Sequence, residues 1–226
     1  MASQPIYQFY SELVDYEPKI WRRFQVPRTI TMAKLCYIVM TMYEMQASHQ
    51  FCLNRPVYEE YITRYELPDE EGVPLPMENE DVQDATNAIL AWKHMFPGDT
   101  LTMEYDYGDG WEVAITLEDI IEDKDLPARE LPRVLEGAGY GIIEDCGGTG
   151  GLENLAKAFH KKKGKEYEEY RAWLGQDDLD LSAFDKDDTN FRLKKIPRIY
   201  KNIYEYGLEP TQQAIDLIER NYYREK

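Results

Sequence analysis

Two alternating runs joined by three turn formers constrain this chain more than any other stretch. Thr100 to Tyr107 puts Leu101, Met103, Tyr105 and Tyr107 on one face, and Trp111 to Glu118 puts Trp111, Val113, Ile115 and Leu117 on one face. A period of two is the signature of a half-buried strand. Gly108-Asp109-Gly110 between the runs supplies tight-turn residues, so a β-hairpin is predicted. Its apolar face needs a cover, and that cover shapes the rest of the fold.

A helix fit for the task lies upstream. From Met32 to Met45, Leu35, Ile38, Val39 and Met42 recur at helical spacing, and Thr31 is placed to cap the first turn. One buried face is expected. Strands are predicted at Ile6 to Val14 and Lys19 to Val26 before it, and at His49 to Leu53 after it. Between Glu66 and Asp84 the chain holds eight acids, no Lys or Arg, and Pro68, Pro74 and Pro76. This reads as a solvated acidic insertion at 64–84. A helix is predicted over Asp81 to Met95, ended by Pro97-Gly98. After Glu118 the chain reads as helical, Leu131 to Tyr140 reads either way, and Ile142 to Gly151 reads as a turn-rich loop. Helices are predicted from Leu152 to Phe159, over Tyr167 to Leu174, over Ile196 to Tyr206 and over Thr211 to Arg224. The expected class is α+β: a small mixed, mainly antiparallel sheet with packed helices. The expected organisation is a core at 1–195 and a helical C-terminal extension at 196–226.

Charge narrows the function. Lys plus Arg number 26 and Asp plus Glu 43, a net charge of −17. Such a chain repels phosphates unless its cations are segregated, so tight duplex-DNA binding is not expected. The one basic patch is Lys194, Lys195, Arg198 and Lys201, interleaved with Tyr200 and Tyr204. No run of about 18 apolar residues exists, so no membrane span is expected. The opening MASQPIYQFY lacks a basic stretch followed by an apolar one, which makes the cytoplasm the expected location. Cys36, Cys52 and Cys146 form no CxxC pair and no disulfide framework. Cys36 reads as a core residue. The acids around Cys146 disfavour a thiolate there.

Two clusters carry candidate chemistry. In Tyr105-Asp106-Tyr107-Gly108-Asp109-Gly110-Trp111, two carboxylates and large aromatics flank a tight turn. Turn chemistry accounts for the acids, and core packing for Trp111. The functional reading is a paired acceptor site for a divalent metal or a cationic group. In Glu144-Asp145-Cys146-Gly147-Gly148, acids precede a run of glycines. No Lys-Ser or Lys-Thr follows, so it is not a P-loop, and the acids would repel phosphate. A tight loop with positive φ is one reading; a site shared with the hairpin acids is the other. His49, His94 and His160 show no metal-ligand spacing, but a mixed carboxylate site using His49 is open. No GxSxG supports a Ser/His/Asp triad. Asp178, Asp180 and Ser182 mimic the start of a calcium loop, but Ala183 and Thr189 stand where Gly and Glu are needed, so helix capping by Asp185 is the reading.

Taken together these segments resemble the Ri-plasmid open-reading-frame-three-like family. Ile20-Trp21-Arg22-Arg23-Phe24-Gln25-Val26-Pro27 is similar to its IWRRxxVP stretch, and Ser48-His49-Gln50-Phe51 to its SHxHxF element. Tyr105 to Glu112 resembles its YxYDFGDGWEH signature, and Glu144 to Gly148 its PPEDCGG loop. Trp173-Leu174-Gly175 with Phe184-Asp185 resembles its closing segment. The resemblance runs from about Ile6 to Lys195 and implies a compact α+β fold. It implies an origin among passenger or resolvase-labelled proteins of plasmids and insertion sequences, a label of gene neighbourhood. Two histidines of the pattern are missing: the second of SHxHxF, and the one after GDGWE, where Val113 stands.

Three functions follow as expectations. The first is a non-catalytic binding or interaction module of plasmids or mobile elements, with a basic protein as partner. The second is a metal-assisted hydrolase using the Asp106/Asp109 hairpin and the Glu144/Asp145 loop. The third is a nucleic-acid-associated mobile-element protein. The candidate binding residues are His49, Tyr105, Asp106, Asp109, Trp111, Glu144 and Asp145. A divalent metal would sit at Asp106, Asp109 and Glu144.

Overall fold

The hairpin forms as its alternation requires. β6 (Thr100–Tyr105) and β7 (Trp111–Ile121) pair antiparallel, with Tyr105 opposite Trp111 and Met103 opposite Val113. Both strands sit in the middle of one sheet in this computed structural model, which describes residues 5–223. The other strands are β1 (Ile6–Leu13), β2 (Trp21–Pro27), β3 (Phe51–Tyr58), β4 (Tyr61–Glu66), β5 (Glu80–Asp84) and β8 (Arg133–Ala138). Among the described residues the strand order is β5-β4-β3-β6-β7-β1-β2-β8. All pairs are antiparallel except β4 with β5. The fold is α+β with a mixed, mainly antiparallel sheet, as the sequence implies.

Helix α1 (Met32–Met42) lies on the sheet, with the Thr31 hydroxyl accepting from the Lys34 amide as an N-cap. Every residue of α1 except Lys34 is buried, where one buried face was expected. The reason is a second cover: α4 (Lys186–Leu193) and α5 (Ile196–Tyr206) pack over α1 from the outside. The C-terminal helices are therefore part of the core. Tyr200 of α5 is fully buried and its hydroxyl donates to the Met45 carbonyl at 2.5 Å. Asp185 caps α4 by accepting from the Asp188 amide, as read from the sequence.

Five local expectations are corrected. The stretch from Asp81 to Met95 is not one helix. It is β5, a turn, and a short 3-10 turn at Leu90–Lys93. Parallel pairing to β4 satisfies its backbone where the isolated pattern suggested a helix. The acidic stretch at 64–84 begins and ends in strands, so only 67–79 is loop. After Glu118 the chain stays in β7 to Ile121, and Leu131 to Tyr140 contributes β8. Helix α2 (Gly148–Lys161) starts at Gly148, so the glycines expected in a loop form its first turn. The remaining helices are α3 (Lys165–Leu174) and α6 (Gln212–Ile218). The last predicted helix shortens to α6 and a 3-10 turn at Asn221–Tyr223; Arg224 and residues 225–226 lie outside the described residues. Among the described residues no helix is long and apolar enough to cross a membrane.

Candidate metal centre

The hairpin places its acids by leaving the strand early. Asp106 has φ 54°, a left-handed conformation that Asp tolerates better than most residues. Its amide still donates to the Gln50 carbonyl, just before β3, at 3.0 Å. Its Oδ1 accepts from the Gly108 amide at 3.0 Å, and its carbonyl accepts from the Gly110 amide at 2.7 Å. One carboxylate oxygen of Asp106 is thus a turn acceptor. The other, Oδ2, faces His49 Nε2 at 3.6 Å. The same departure removes Tyr107 from the alternation: it is half exposed and takes a bond from Arg64 Nη2 at 3.2 Å, whereas Tyr105 is buried in the core.

The second acid arrives from the loop before α2. Glu144 Oε1 accepts two hydrogen bonds, from the Gln46 amide at 2.6 Å and the Tyr105 hydroxyl at 2.7 Å. Glu144 Oε2 is buried and, among the described residues, accepts no hydrogen bond; it lies 3.6 Å from His49 Nε2. The Glu144 side chain is only 10% exposed and that of Asp106 only 11%. Asp145 Oδ1 stands 3.4 Å from the same imidazole nitrogen, with its side chain 73% exposed, so the site opens on that side. One ligand atom each from His49, Asp106 and Glu144 lies within 4.8 Å of the others. Ligands about 2.1 Å from a common ion stand about 3.4 Å apart in a tetrahedral site. The imidazole-to-carboxylate separations match that spacing.

His49 is held from below. Its carbonyl accepts from the Tyr204 hydroxyl of α5, and its ring meets Tyr105 edge-on with centroids 5.8 Å apart. Ser48 Oγ lies 3.4 Å from the Tyr105 hydroxyl. Gln46, Ser48 and Tyr204 are supports that sequence reasoning did not assign to the site. Ser48 stands in the SHxHxF-like element and Tyr204 beside the basic patch, but neither is marked as a support, because the three act through a backbone amide, a hydroxyl contact and a bond to a backbone carbonyl.

Asp109 does a different job from its neighbour. Its Oδ2 accepts from the Gly147 amide at 3.0 Å, which seats the hairpin tip on the Glu144 loop. Gly148 makes the approach possible: a Cβ there would stand 2.4 Å from the Asp109 carbonyl oxygen. Of the acids expected to hold a metal, Asp106 and Glu144 converge, His49 joins them, and Asp109 clasps the two loops together. Trp111 is fully buried beneath the tip and packs in the core. His94 and His160 are exposed elsewhere, and Asp180 Oδ1 accepts from the Ser182 amide and hydroxyl in a local turn.

Burial sets the electrostatics. Desolvation raises Glu144 above the ordinary carboxylate value, outweighing the bonds from Gln46 and Tyr105 and the nearby His49. The Tyr105 hydroxyl is pushed up by burial and by the Glu144 charge, so it remains a donor. Burial, with Asp109 close by, pushes the Cys146 thiol up to about 12, which accords with the weak thiolate expected there. The corner has the donor chemistry of a cation site. Two carboxylates meet at one imidazole, and a buried oxygen has no donor.

The family whose pattern matches this chain is described as plasmid pRiA4b ORF-3-like protein, over residues 5–191. That span includes His49, Asp106 and Glu144 and stops before α5. The uncharacterized protein y4hQ of Sinorhizobium fredii (strain NBRC 101917 / NGR234) is 28% identical over 172 residues, 74% of this chain and 79% of that protein. A crystal structure of a protein of unknown function, MM3350 from Methanosarcina mazei Go1, aligns with a TM-score of 0.69 at 24% identity. It covers 81% of this chain and 97% of that one, a likeness of fold.

Proposed function

The chain belongs to the plasmid pRiA4b ORF-3-like protein family, and from that premise and the geometry of its acidic corner we propose that it is a divalent-metal-dependent protein of the hydrolytic type. His49 Nε2, Asp106 Oδ2 and Glu144 Oε2 would hold the ion. The observation that carries this reading is the buried Glu144 oxygen, which has no hydrogen-bond donor and sits 3.6 Å from His49 Nε2. A buried carboxylate without a cation or donor is costly, and a metal ion supplies the missing charge. One imidazole and two carboxylates suit Mn²⁺ or Zn²⁺.

Three protein ligands with one side open to solvent is the pattern of a catalytic metal rather than a closed structural one. Such an ion lowers the pKa of a bound water. The chain's own part is orientation: Tyr105 and the Gln46 amide fix Glu144, the Gly108 amide fixes Asp106, and Tyr204 fixes the His49 backbone. Asp145, exposed at the mouth, is positioned to accept a proton or a cationic part of a substrate.

Calorimetric titration with Mn²⁺ and with Zn²⁺ tests the metal. One ion per chain is expected, lost in Asp106→Asn and Glu144→Gln. Binding that survives both substitutions would refute the assignment. Assay of the loaded protein on phosphodiester and carboxylic ester substrates then separates the hydrolase from a non-catalytic module. Turnover abolished by Glu144→Gln supports the former. A loaded protein without turnover supports the latter, with the ion serving as a clasp between hairpin and loop.

A further inference from the structure

A concentration of positive charge lies away from the metal corner. A groove of about 750 Å³ opens between the β2–α1 turn, the segment before β8 and the corner from α4 to α5. Five cations rim it: Lys34, Arg129, Lys194, Arg198 and Lys201. That is five of the chain's 26 beside one lining acid, in a protein of net charge −17. The acid, Glu205, is already engaged by Lys201 at 3.3 Å and by the Tyr37 hydroxyl at 3.2 Å. Among the described residues, Lys34, Lys194 and Arg198 have no carboxylate within 4.0 Å. The floor is apolar and includes Ile30, Leu131, Pro132 and Pro197. At the two helix starts the amides are spent: Thr31 takes those of Lys34 and Leu35, and the Lys195 carbonyl takes those of Arg198 and Ile199. The groove therefore recognises through side-chain charge and apolar contact, not through an amide cradle for phosphate. It fits a segment that presents acids together with exposed apolar side chains.

The chain carries such a segment. The 67–79 loop holds Asp69, Glu70, Glu71 and Glu78; Asp69 and Gly72 close a tight turn through paired backbone bonds, and Pro74 and Pro76 favour an extended backbone after it. Leu75 is 90% exposed and Met77 80%, the two most exposed large apolar side chains among the described residues. Single exposed apolar residues are ordinary, but two on one acidic, proline-bearing loop match the floor and rim of the groove in chemistry. We propose that the 67–79 loop of one molecule docks in the basic groove of a second copy. The contact joins unlike surfaces: each molecule offers both a loop and a groove, so association closes as a reciprocal pair or continues as a chain of molecules. The inference is independent of the metal corner.

The test uses the full chain and two surface variants. Lys194→Glu with Arg198→Glu disables the groove, and Leu75→Ser with Met77→Ser disables the loop. All four positions are exposed, and thermal unfolding confirms that each variant folds. In sedimentation velocity the wild type should grow with concentration, and each variant alone should remain monomeric. An equimolar mixture of the two variants should give a one-to-one complex and nothing larger, because one intact groove meets one intact loop. A labelled peptide of residues 66–80 should bind wild type and the loop variant, and bind the groove variant at least about tenfold more weakly. A wild type that stays monomeric throughout, or a mixture that does not reassociate, overturns the proposal. So does a single-stranded oligonucleotide that binds the groove more tightly than the peptide, which would assign the surface to nucleic acid.

Discussion

Two clusters of buried carboxylates flank the short segment that follows α1, and their charges are settled in opposite ways. In the first, Glu44 receives both oxygens' worth of charge from Arg192 Nη1 at 2.7 Å and from Arg220 Nη2 at 2.8 Å. Asp188 joins through Arg220 Nε at 3.3 Å and the Tyr222 hydroxyl at 2.7 Å. Two acids meet two guanidiniums, and the set ties the C-terminal segment to the core. In the second, Asp106 and Glu144 meet one imidazole, a phenol and backbone amides. Acids that are neutralised within the chain hold the fold together. Acids left short of positive charge mark the corner that we propose as the metal site.

The contrast breaks most visibly if Arg192 is removed. Arg192→Met leaves Glu44 buried with half its counter-charge gone, and breaking a buried pair from one side costs about 3–5 kcal/mol. Urea unfolding should show that loss; a change under about 1 kcal/mol would mean that the first cluster is no more structural than a surface pair. Next in size is the response to metal. At a free Mn²⁺ or Zn²⁺ concentration 100 times Kd, wild type should gain about 2.7 kcal/mol. Glu144→Gln and Asp106→Asn should lose that gain and be slightly more stable than wild type without metal, since removing one of two close acids relieves repulsion. A variant that keeps the full gain would erase the distinction between the clusters.

A pH series sharpens it further. Burial raises Glu144 above its ordinary 4.5, so the folded state holds that proton more tightly than the unfolded chain does. The stability this contributes is complete below about 4.5 and is lost as pH rises through the raised value. Glu144→Gln cannot lose it, so without metal the variant's advantage over wild type should grow across that window. Parallel curves would place the Glu144 charge in water. The smallest effect belongs to Asp109→Asn, which keeps an acceptor for the Gly147 amide. It should cost no more than about 1 kcal/mol and leave the metal response intact. Loss of metal binding there would make Asp109 a ligand rather than a clasp.

Much of the fold was readable because its signals are local. The alternation around Gly108-Asp109-Gly110, the Thr31 cap and the Asp185 cap each depend on residues within one turn or strand. β5 was missed because its pairing partner, β4, lies beyond a 13-residue loop. β8 was left open because its strand is completed by β2, more than a hundred residues earlier. At the site, His49, Asp106 and Glu144 were all nameable from the sequence, but the division of labour between Asp106 and Asp109 was not. The two acids look alike on paper; the left-handed turn at Asp106 aims one inward, and close packing at Gly148 commits the other to Gly147.

Residue order alone was enough to specify the hairpin, one buried face of α1, the acidic surplus and the identity of the chemically capable side chains. Each of these follows from periodicity, propensity or charge, which act between near neighbours. Packing settled the rest. It brought three segments distant in sequence to one imidazole, buried one Glu144 oxygen without a donor, and turned a basic C-terminal patch into the wall of a groove with Lys34 and Arg129. The physical reason is that solvent exposure and missing partners belong to no residue by itself: they exist only once every other segment has taken its place.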